Sequence, residues 1–276
     1  MVASTTLLAL VSSLSLAAAM PAAGLEERQY GGFYGSGSSS SSSACATGVH
    51  IIVARASTEP AGEGIIGQVA TLVKNQVPGS SSEAISYPAT LYPYLSSEAQ
   101  GVSAMTSAIE SYAQRCPDSK IVLMGYSRKL PVVGDSLCGS SGLYSFGSGT
   151  GGYSFPSGTY SYGGLSGYKS KRDAENTTVE KRQLSSNYQD NIVAVVQMGD
   201  PTFVPGKSYD VGTSRTAGIF PRGSTSCFDQ IASKIQSYCD TGDEFCASGA
   251  SLQVHLSYVT KYGEQAASFV VGKATA

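Results

Sequence analysis

A serine in the middle of the chain has the sequence context of a catalytic nucleophile. Ser127 ends the triplet Gly-Tyr-Ser, which directly follows the apolar segment "KIVLM". A glycine, any residue and a serine after a strand are typical of a tight strand-to-helix turn that exposes the serine hydroxyl above a sheet. Small residues flank such a serine because the turn brings the two backbones close together. The pattern therefore predicts glycine at position 129, where this chain has lysine.

The base and the acid that would activate this serine come from the other end of the chain. The chain has two histidines, His50 and His255. A late histidine, preceded by an aspartate and by a serine after a middle strand, reproduces the Ser, Asp, His order of α/β-hydrolases. His255 is therefore the predicted base, whereas His50 lies in an apolar strand and is predicted to pack in the core. The candidate acids, among which spacing does not choose, are Asp240, Asp243 and Glu244.

Apolar periodicity predicts the elements that position these residues. Short β-branched runs predict buried strands, and Ser97 followed by Gln100 predicts a capping box that starts a helix. Strands that alternate with helices indicate an α/β domain with a mostly parallel sheet covered on both faces. The predicted strands cover 48–56, 83–89, 120–125, 191–200 and 234–240. The predicted helices cover 65–77, a segment with Val102, Met105, Ile109 and Tyr112 on its core face, and 257–272 with Tyr258, Tyr262, Ala266, Phe269 and Val270 inward.

Composition indicates one exported globular domain with low-complexity segments outside its core. The 276 residues carry a net charge of −2 and are 41% hydrophobic, which gives no argument for a nucleic-acid partner. Residues 1–19 are typical of a secretory signal peptide, and 20–44 are predicted to be a propeptide or Gly/Ser-rich linker. Residues 139–186, rich in Gly, Ser and Tyr, are predicted to be a low-complexity insertion in the 45–276 domain. The insertion contains a glycosylation sequon at Asn176 and two basic pairs that are candidate protease sites, Lys171-Arg172 and Lys181-Arg182.

Six cysteines in an exported chain predict three disulfides. None of them forms a CxxC pair of the kind that binds zinc or does redox chemistry. Cys239 and Cys246 enclose the sequence "DTGDEF", so a disulfide between them would close a loop that carries all three candidate acids, two of them aspartates.

Five segments together resemble the fungal cutinases and acetylxylan esterases, over nearly all of the chain from Cys45 to the C-terminal helix except the insertion. The segments are "ARAST", "CPDSKIVLMGYS", "VVQMGDPTFVPG", "YCDTGDEFC" and "VHLSYVTKYG". The resemblance implies that Ser127 is the nucleophile, Asp243 the acid and His255 the base. It further implies an oxyanion hole formed by Ser57 and by the residue after the nucleophile, Arg128.

The same resemblance implies a fold, a substrate class and a disulfide pairing. The fold is a three-layer α/β/α sandwich with an exposed active site. The substrates are ester bonds of plant cell-wall polymers, with acetylated xylan favoured over cutin because "GDPTFVPG" and "VHLSYVTKYG" look more like the acetylxylan branch. We expect a secreted monomer with no metal, no organic cofactor, and no nucleic-acid or membrane partner. The implied pairs are Cys45–Cys116, Cys138–Cys227 and Cys239–Cys246.

The chain departs from the family pattern directly after the nucleophile. Where the family has Gln, Gly and a small residue, this chain has Arg128, Lys129 and Leu130, followed by Pro131. Side chains there cost about 1–3 kcal/mol per strained residue, which a domain stable by about 5–15 kcal/mol can survive. Three hypotheses follow: an active esterase with a shifted helix start, a catalytically impaired relative that binds wall polymer or protein, or an error in the deduced sequence at 128–131. A Tyr/Gly/Ser-rich structural wall protein is a fourth interpretation.

Overall fold

The computed structural model describes residues 44–90, 94–127, 131–139, 184 and 186–276. Several predictions concern residues outside these ranges: the signal peptide at 1–19, most of the linker at 20–44, nearly all of the insertion, Asn176, the two basic pairs, and Arg128, Lys129 and Leu130. Among the described residues, no helix is long and apolar enough to cross a membrane.

Six strands of the described residues form one sheet, and every neighbouring pair of strands in it is parallel. Parallel strands covered on both faces are near-continuous apolar runs, as "VHIIVA" and "KIVLMGY" are. The strands are β1 Val49–Ala54, β2 Ser81–Ala84, β3 Lys120–Tyr126, β4 Ile192–Met198, β5 Asp210–Val211 and β6 Ile235–Tyr238. Their order across the sheet is β2-β1-β3-β4-β6-β5.

Helices cover both faces of the sheet, so that successive residues of one strand enter different cores. Val49, Ile51 and Val53 of β1 pack in the core shared with the helices Gly67–Gln76 and Tyr258–Ala274. Ile52 packs in the core shared with the helices Tyr94–Arg115 and Pro131–Cys138. The predicted three-layer α/β/α sandwich is confirmed. The helices are α1 Gly67–Gln76, α2 Tyr94–Arg115, α3 Pro131–Cys138, α4 Ser186–Gln189, α5 Ser226–Gln230, α6 Leu252–His255 and α7 Tyr258–Ala274.

Two local predictions were wrong. The second strand ends at Ala84, because Ala84 pairs with Val53 and the neighbouring strand β1 ends one residue later, at Ala54. Beyond it, the Tyr87 hydroxyl donates a hydrogen bond to the Arg55 carbonyl (2.6 Å). Ser97 is not a helix cap, since α2 already includes Tyr94 and Ser97 lies within it. Near the end of the predicted insertion, Leu184 is buried and its N–H donates to the Ser136 carbonyl of α3 (2.8 Å).

Three disulfides tie loops to the sheet and its helices. Cys45 pairs with Cys116, Cys138 with Cys227, and Cys239 with Cys246, and no described cysteine is free. This is the pairing that the family resemblance implied. The Cys138–Cys227 bond joins the end of α3 to α5, and the Cys239–Cys246 bond closes the loop after β6.

Candidate active site

Ser127 stands on a strained turn at the carboxyl end of β3. Its φ is 69°, a left-handed conformation that a non-glycine residue rarely adopts. Strain of this kind persists where surrounding structure holds it, and it is the geometry of a nucleophile turn. Four residues later Pro131 starts the described part of α3.

His255, at the end of the short helix α6, faces the serine. Its Nε2 lies 2.6 Å from Ser127 Oγ, and its Nδ1 lies 2.9 Å from Asp243 Oδ2. Ser251 caps α6, because its Oγ accepts a hydrogen bond from the Val254 N–H. The backbone of His255 is held as well, since the Tyr126 hydroxyl donates to its carbonyl (2.5 Å). Residues far apart in the chain therefore converge at one end of the sheet.

Gly199 leaves room for the imidazole. It follows β4 with a φ of 73°, and a Cβ at this position would lie 2.7 Å from His255 Cε1. No real Cβ sits that close to a neighbouring ring, so the glycine permits both the backbone conformation and the approach of His255. The segment "VVQMGDP" thus contributes to the site although it supplies no reacting group.

Asp243 lies in the loop closed by the Cys239–Cys246 disulfide and is fully buried. Its Oδ1 accepts hydrogen bonds from the backbone N–H groups of Phe245 (2.7 Å) and Cys246 (2.9 Å). Burial alone would raise the pKa of Asp243, but the hydrogen bonds from His255, Cys246 and Tyr258 and the charge interaction with His255 together lower it. The carboxylate is therefore ionised next to the imidazole.

The other two candidate acids do not contact His255. Asp240 is buried, but its carboxylate accepts from Lys261 (2.6 Å), Tyr262 (2.9 Å) and Thr213 (3.0 Å). Glu244 is exposed to solvent. Of the three carboxylates that spacing left open, the structure brings Asp243 to the imidazole.

Ser57 lies in the loop after β1, the strand next to β3. Its Oγ is shielded from solvent and has no hydrogen-bond partner among the described residues. Buried hydroxyls without a partner are uncommon. The Ala54–Gly125 pair aligns the ends of β1 and β3, so Ser57 and Ser127 leave the sheet at the same edge. This hydroxyl is available to donate to an atom that enters from outside.

A carboxylate shapes the loop that carries Ser57. Glu59 accepts hydrogen bonds from the backbone N–H groups of Ala56 (2.6 Å) and Ile65 (2.8 Å). Arg55 spans the same loop, donating to the carbonyls of Glu59 (3.1 Å) and Tyr87 (2.8 Å). Together these bonds close the turn "ARASTE" around Ser57.

The remaining features concern metals and the second predicted oxyanion donor. No group of three or more His, Cys, Asp or Glu side chains within the described ranges could hold a metal ion. Arg128 lies outside those ranges, so its predicted part in the oxyanion hole stays a prediction.

The second histidine, His50, lies away from the site. It is buried at the amino end of β1, stacked on Tyr112 with ring centroids 3.5 Å apart, and does not meet His255.

Comparison with known proteins identifies the family of this chain. Residues 45–274 match the cutinase family model. The chain belongs to the cutinase family. It is 35% identical to acetylxylan esterase 2 of Talaromyces purpureogenus over 82% of this chain and 86% of that protein. It is 33% identical to cutinase 11 of Verticillium dahliae, over 82% of this chain and 68% of that protein.

Solved structures of this family also match. An acetylxylan esterase structure at 0.90 Å resolution is 33% identical, with a TM-score of 0.66 over 84% of this chain and all of that chain. Three of the relatives, two acetylxylan esterases and a cutinase, are carboxylic ester hydrolases. Membership in the cutinase family therefore indicates ester hydrolysis on plant polymers.

Two contributors to the site were missed from the sequence. Tyr258 was predicted as an inward residue of the last helix, but its hydroxyl also donates to Asp243 Oδ2 (2.8 Å). The Phe245 ring meets the His255 ring edge to face, with centroids 4.5 Å apart. Their positions three residues after the histidine and two after the aspartate are the signals that could have identified them.

Proposed function

We propose that this member of the cutinase family is a secreted serine esterase that hydrolyses carboxylic esters of plant cell-wall polymers, with deacetylation of xylan favoured. The observation that carries the proposal is the hydrogen-bonded chain from Ser127 Oγ to His255 (2.6 Å) and from His255 to Asp243 (2.9 Å). Nucleophile, base and orienting acid within hydrogen-bond reach are the signature of serine hydrolysis.

Each member has a role in the proposed reaction. Ser127 Oγ attacks the ester carbonyl carbon while its proton passes to His255 Nε2, because the free hydroxyl is a weak nucleophile. The tetrahedral adduct then expels the alcohol, which takes that proton, and leaves an acyl-serine. Water, deprotonated by His255, attacks the acyl carbon of the acyl-serine. The bond from that carbon to Ser127 Oγ then breaks, the acid is released, and Oγ takes the proton back from His255. Asp243 holds the imidazole tautomer and stabilises the imidazolium in both steps.

Charge on the carbonyl oxygen needs donors that are already in place. The Ser57 hydroxyl, buried and without a partner among the described residues, supports its assignment to the oxyanion hole. The backbone N–H of Arg128 is the proposed second donor, a role that its side chain leaves unaffected. Each such donor is worth about 2.7–4 kcal/mol in a comparable hydrolase.

The choice of substrate rests on two different observations. Acetylated xylan is favoured because two of the similar proteins are named acetylxylan esterases. Cutin is the second candidate because Leu252 and Leu256, on either side of His255 in the chain, are 50% and 55% exposed. Exposed leucines beside a reacting group suit an apolar acyl chain. Rates on acetylated xylan and on cutin separate the two, and Leu252→Ser with Leu256→Ser should slow only hydrolysis of long-chain esters.

Export is part of the proposal. The apolar segment at 1–19 has the features of a signal peptide, and three disulfides are typical of oxidising compartments. N-terminal sequencing of the protein recovered from culture medium tests it. A protein retained in cells with residues 1–19 attached contradicts export.

Hydrolysis of p-nitrophenyl acetate by the purified full chain tests the activity, with Ser127→Ala as the control. We expect turnover in the wild type and loss of at least about a thousandfold in the variant. Equal rates in the two proteins contradict the esterase proposal. Tight binding of wall polymer without turnover instead supports the impaired relative, and mature transcript that lacks codons for Arg128 to Pro131 supports a sequence error there.

A further inference from the structure

Tyr258 is the first residue of α7 and lies behind the proposed triad. Its side chain is fully buried. The ring stands edge-on to Tyr126 and to His255, with centroids 6.2 and 6.4 Å away. Packing alone would be satisfied by phenylalanine at this position, so the hydroxyl group requires a separate explanation.

The Tyr258 hydroxyl has three neighbours. The Asp240 N–H lies 2.9 Å away, Asp243 Oδ2 lies 2.8 Å away and Cys246 Sγ lies 3.2 Å away. Because a backbone N–H can only donate, the phenol oxygen accepts from Asp240. Its single proton then goes to the carboxylate, which is the strongest acceptor in reach. Burial raises the pKa of Tyr258 far above its usual value, so the hydroxyl keeps this proton.

Asp243 consequently receives four donors. The Phe245 and Cys246 N–H groups bind Oδ1, while His255 Nδ1 and the Tyr258 hydroxyl share Oδ2. Two donors on one oxygen fix the direction of its lone pairs, and each draws electron density from the other. The phenol therefore sets both where Oδ2 points and how strongly it attracts the imidazole proton.

We propose that Tyr258 is a positioning residue, which orients Asp243 Oδ2 towards His255 and moderates the strength of their hydrogen bond. The proposal rests on the proposed function for its effect on hydrolysis, but not for its effect on the hydrogen bond itself. Tyr258 does not touch a reacting atom and acts through Asp243.

Among the described residues, the charge closest to Tyr258 besides that of Asp243 is the Asp240 carboxylate, which is already paired. Asp240 is bound by Lys261, Tyr262 and Thr213. On the other side, the Tyr126 hydroxyl donates to the His255 carbonyl and keeps its proton because burial raises its pKa. Removing the Tyr258 hydroxyl should thus change the Asp243–His255 bond without changing any other charge that faces it.

The matched pair of variants is Tyr258→Phe and Tyr262→Phe. Both remove one phenol from the same face of α7, where the two rings stack with centroids 6.3 Å apart. Tyr262 binds Asp240 instead of Asp243. The chain has two histidines, so the ring N–H protons in a low-field proton NMR spectrum are few, and His50→Gln assigns them.

We expect the His255 Nδ1 proton to move further downfield in Tyr258→Phe, because Oδ2 then serves one donor instead of two, and to stay in place in Tyr262→Phe. In the active enzyme, kcat of Tyr258→Phe should fall about tenfold with KM nearly unchanged. The midpoint of the acid limb of its pH–rate profile should move to higher pH, by about half a pH unit. Tyr262→Phe should leave both unchanged. An unmoved proton signal in folded Tyr258→Phe overturns the proposal.

Failure of the proposed esterase function and failure of the proposed role of Tyr258 give different results. A wild type without hydrolysis, combined with the expected NMR shift, removes the esterase function and keeps the role of Tyr258. Hydrolysis in the wild type with an unmoved signal does the reverse. If Tyr258→Phe does not fold, a nuclear Overhauser contact in the wild type shows which group shares Asp243 Oδ2 with His255, the Tyr258 hydroxyl or another donor. Because both protons lie on Oδ2, contact between that hydroxyl proton and the His255 Nδ1 proton supports the proposal, and its absence from an assigned spectrum contradicts it.

Discussion

The two histidines of this chain have nearly the same partners and very different surroundings. His255 lies between the Ser127 hydroxyl (2.6 Å) and the Asp243 carboxylate (2.9 Å). His50 lies between the Ser81 hydroxyl (2.8 Å) and the Glu83 carboxylate (3.1 Å). Both rings are buried and both touch an aromatic ring. In each, the tautomer that satisfies both contacts has serine donating to the ring and the ring donating to the carboxylate.

What differs is the backbone and the burial of the acid. Ser127 stands on a turn with a φ of 69° beyond the end of β3, whereas Ser81 is an ordinary residue of β2 at the sheet edge. Asp243 is fully buried and held by two backbone N–H groups, whereas the side chain of Glu83 is 48% exposed. The loop beside Ser127 and His255 also holds the Ser57 hydroxyl, which is buried and has no hydrogen-bond partner among the described residues. A serine, a histidine and a carboxylate in contact therefore do not by themselves indicate catalysis.

Replacing the two acids should give the largest contrast. In Asp243→Asn, the amide oxygen should keep the two backbone donors, so that the amide NH₂ takes the place of Oδ2 and faces His255. The imidazole then carries its proton on Nε2 and cannot accept from Ser127. We expect hydrolysis of p-nitrophenyl acetate to fall about ten-thousandfold. Glu83→Gln removes the corresponding charge beside His50 and should leave the rate within about twofold.

A rate in Asp243→Asn close to that of the wild type contradicts the assignment of the acid. Asp240→Asn serves as a further control, because Asp240 is the other buried aspartate of the same loop and binds Lys261 and Thr213. It should lose stability through those contacts, measured by thermal unfolding, and keep the rate of the folded protein.

Replacing the serines that carry hydroxyls should give the next contrast. Ser57→Ala removes a donor proposed for the oxyanion and should lower kcat about a hundred- to a thousandfold. The fold should be unaffected, because this hydroxyl has no partner among the described residues. Ser81→Ala removes the hydroxyl bound to His50 and should lower stability by about 1 kcal/mol with no change in kcat. Equal kcat in Ser57→Ala and wild type contradicts the proposed oxyanion hole.

The sequence predicted the sheet better than the loops that select the acid. Apolar runs such as "KIVLMGY" identify buried strands, because both faces of a parallel sheet are covered. The two-residue strand Asp210–Val211 was missed, since it is too short to show any periodicity. Spacing did not distinguish Asp243 from Asp240, because the outcome depends on contacts with residues distant in the chain. Thr213 and Lys261 donate hydrogen bonds to the Asp240 carboxylate, whereas the His255 imidazole on α6 contacts Asp243.

Tyr258 illustrates a different limit of sequence analysis. Its apolar periodicity correctly predicted that the ring faces the core. Periodicity contains no information about where a buried hydroxyl points, and that direction depends on the disulfide-closed loop that presents Asp240 and Asp243. The pattern and order of the residues predicted Ser127 as nucleophile and His255 as base, and the family resemblance added Asp243 as the acid. The three roles stay predictions.

The smallest expected contrast is in stability at low pH, and it concerns the contact between His50 and Glu83. The hydrogen bond from His50 holds the pKa of Glu83 below its usual value although partial burial opposes this. A carboxyl whose pKa is lower in the folded state binds protons more readily when unfolded. Its contribution is therefore complete above the unfolded pKa of about 4.3 and disappears as the pH falls through the lower folded value.

Urea unfolding at pH 7 and at pH 3, with the disulfides intact, measures this effect. Wild type should lose more stability between the two pH values than Glu83→Gln, which has no such proton to take up. The difference should stay below about 1 kcal/mol, because Glu83 is half exposed and solvent screens the pair. Glu264→Gln, which removes an exposed carboxylate on α7, should follow the wild type. If Glu83→Gln also follows the wild type, the contact between His50 and Glu83 contributes nothing to acid stability. The two histidines would then differ even more, because only His255 would have a functional carboxylate partner.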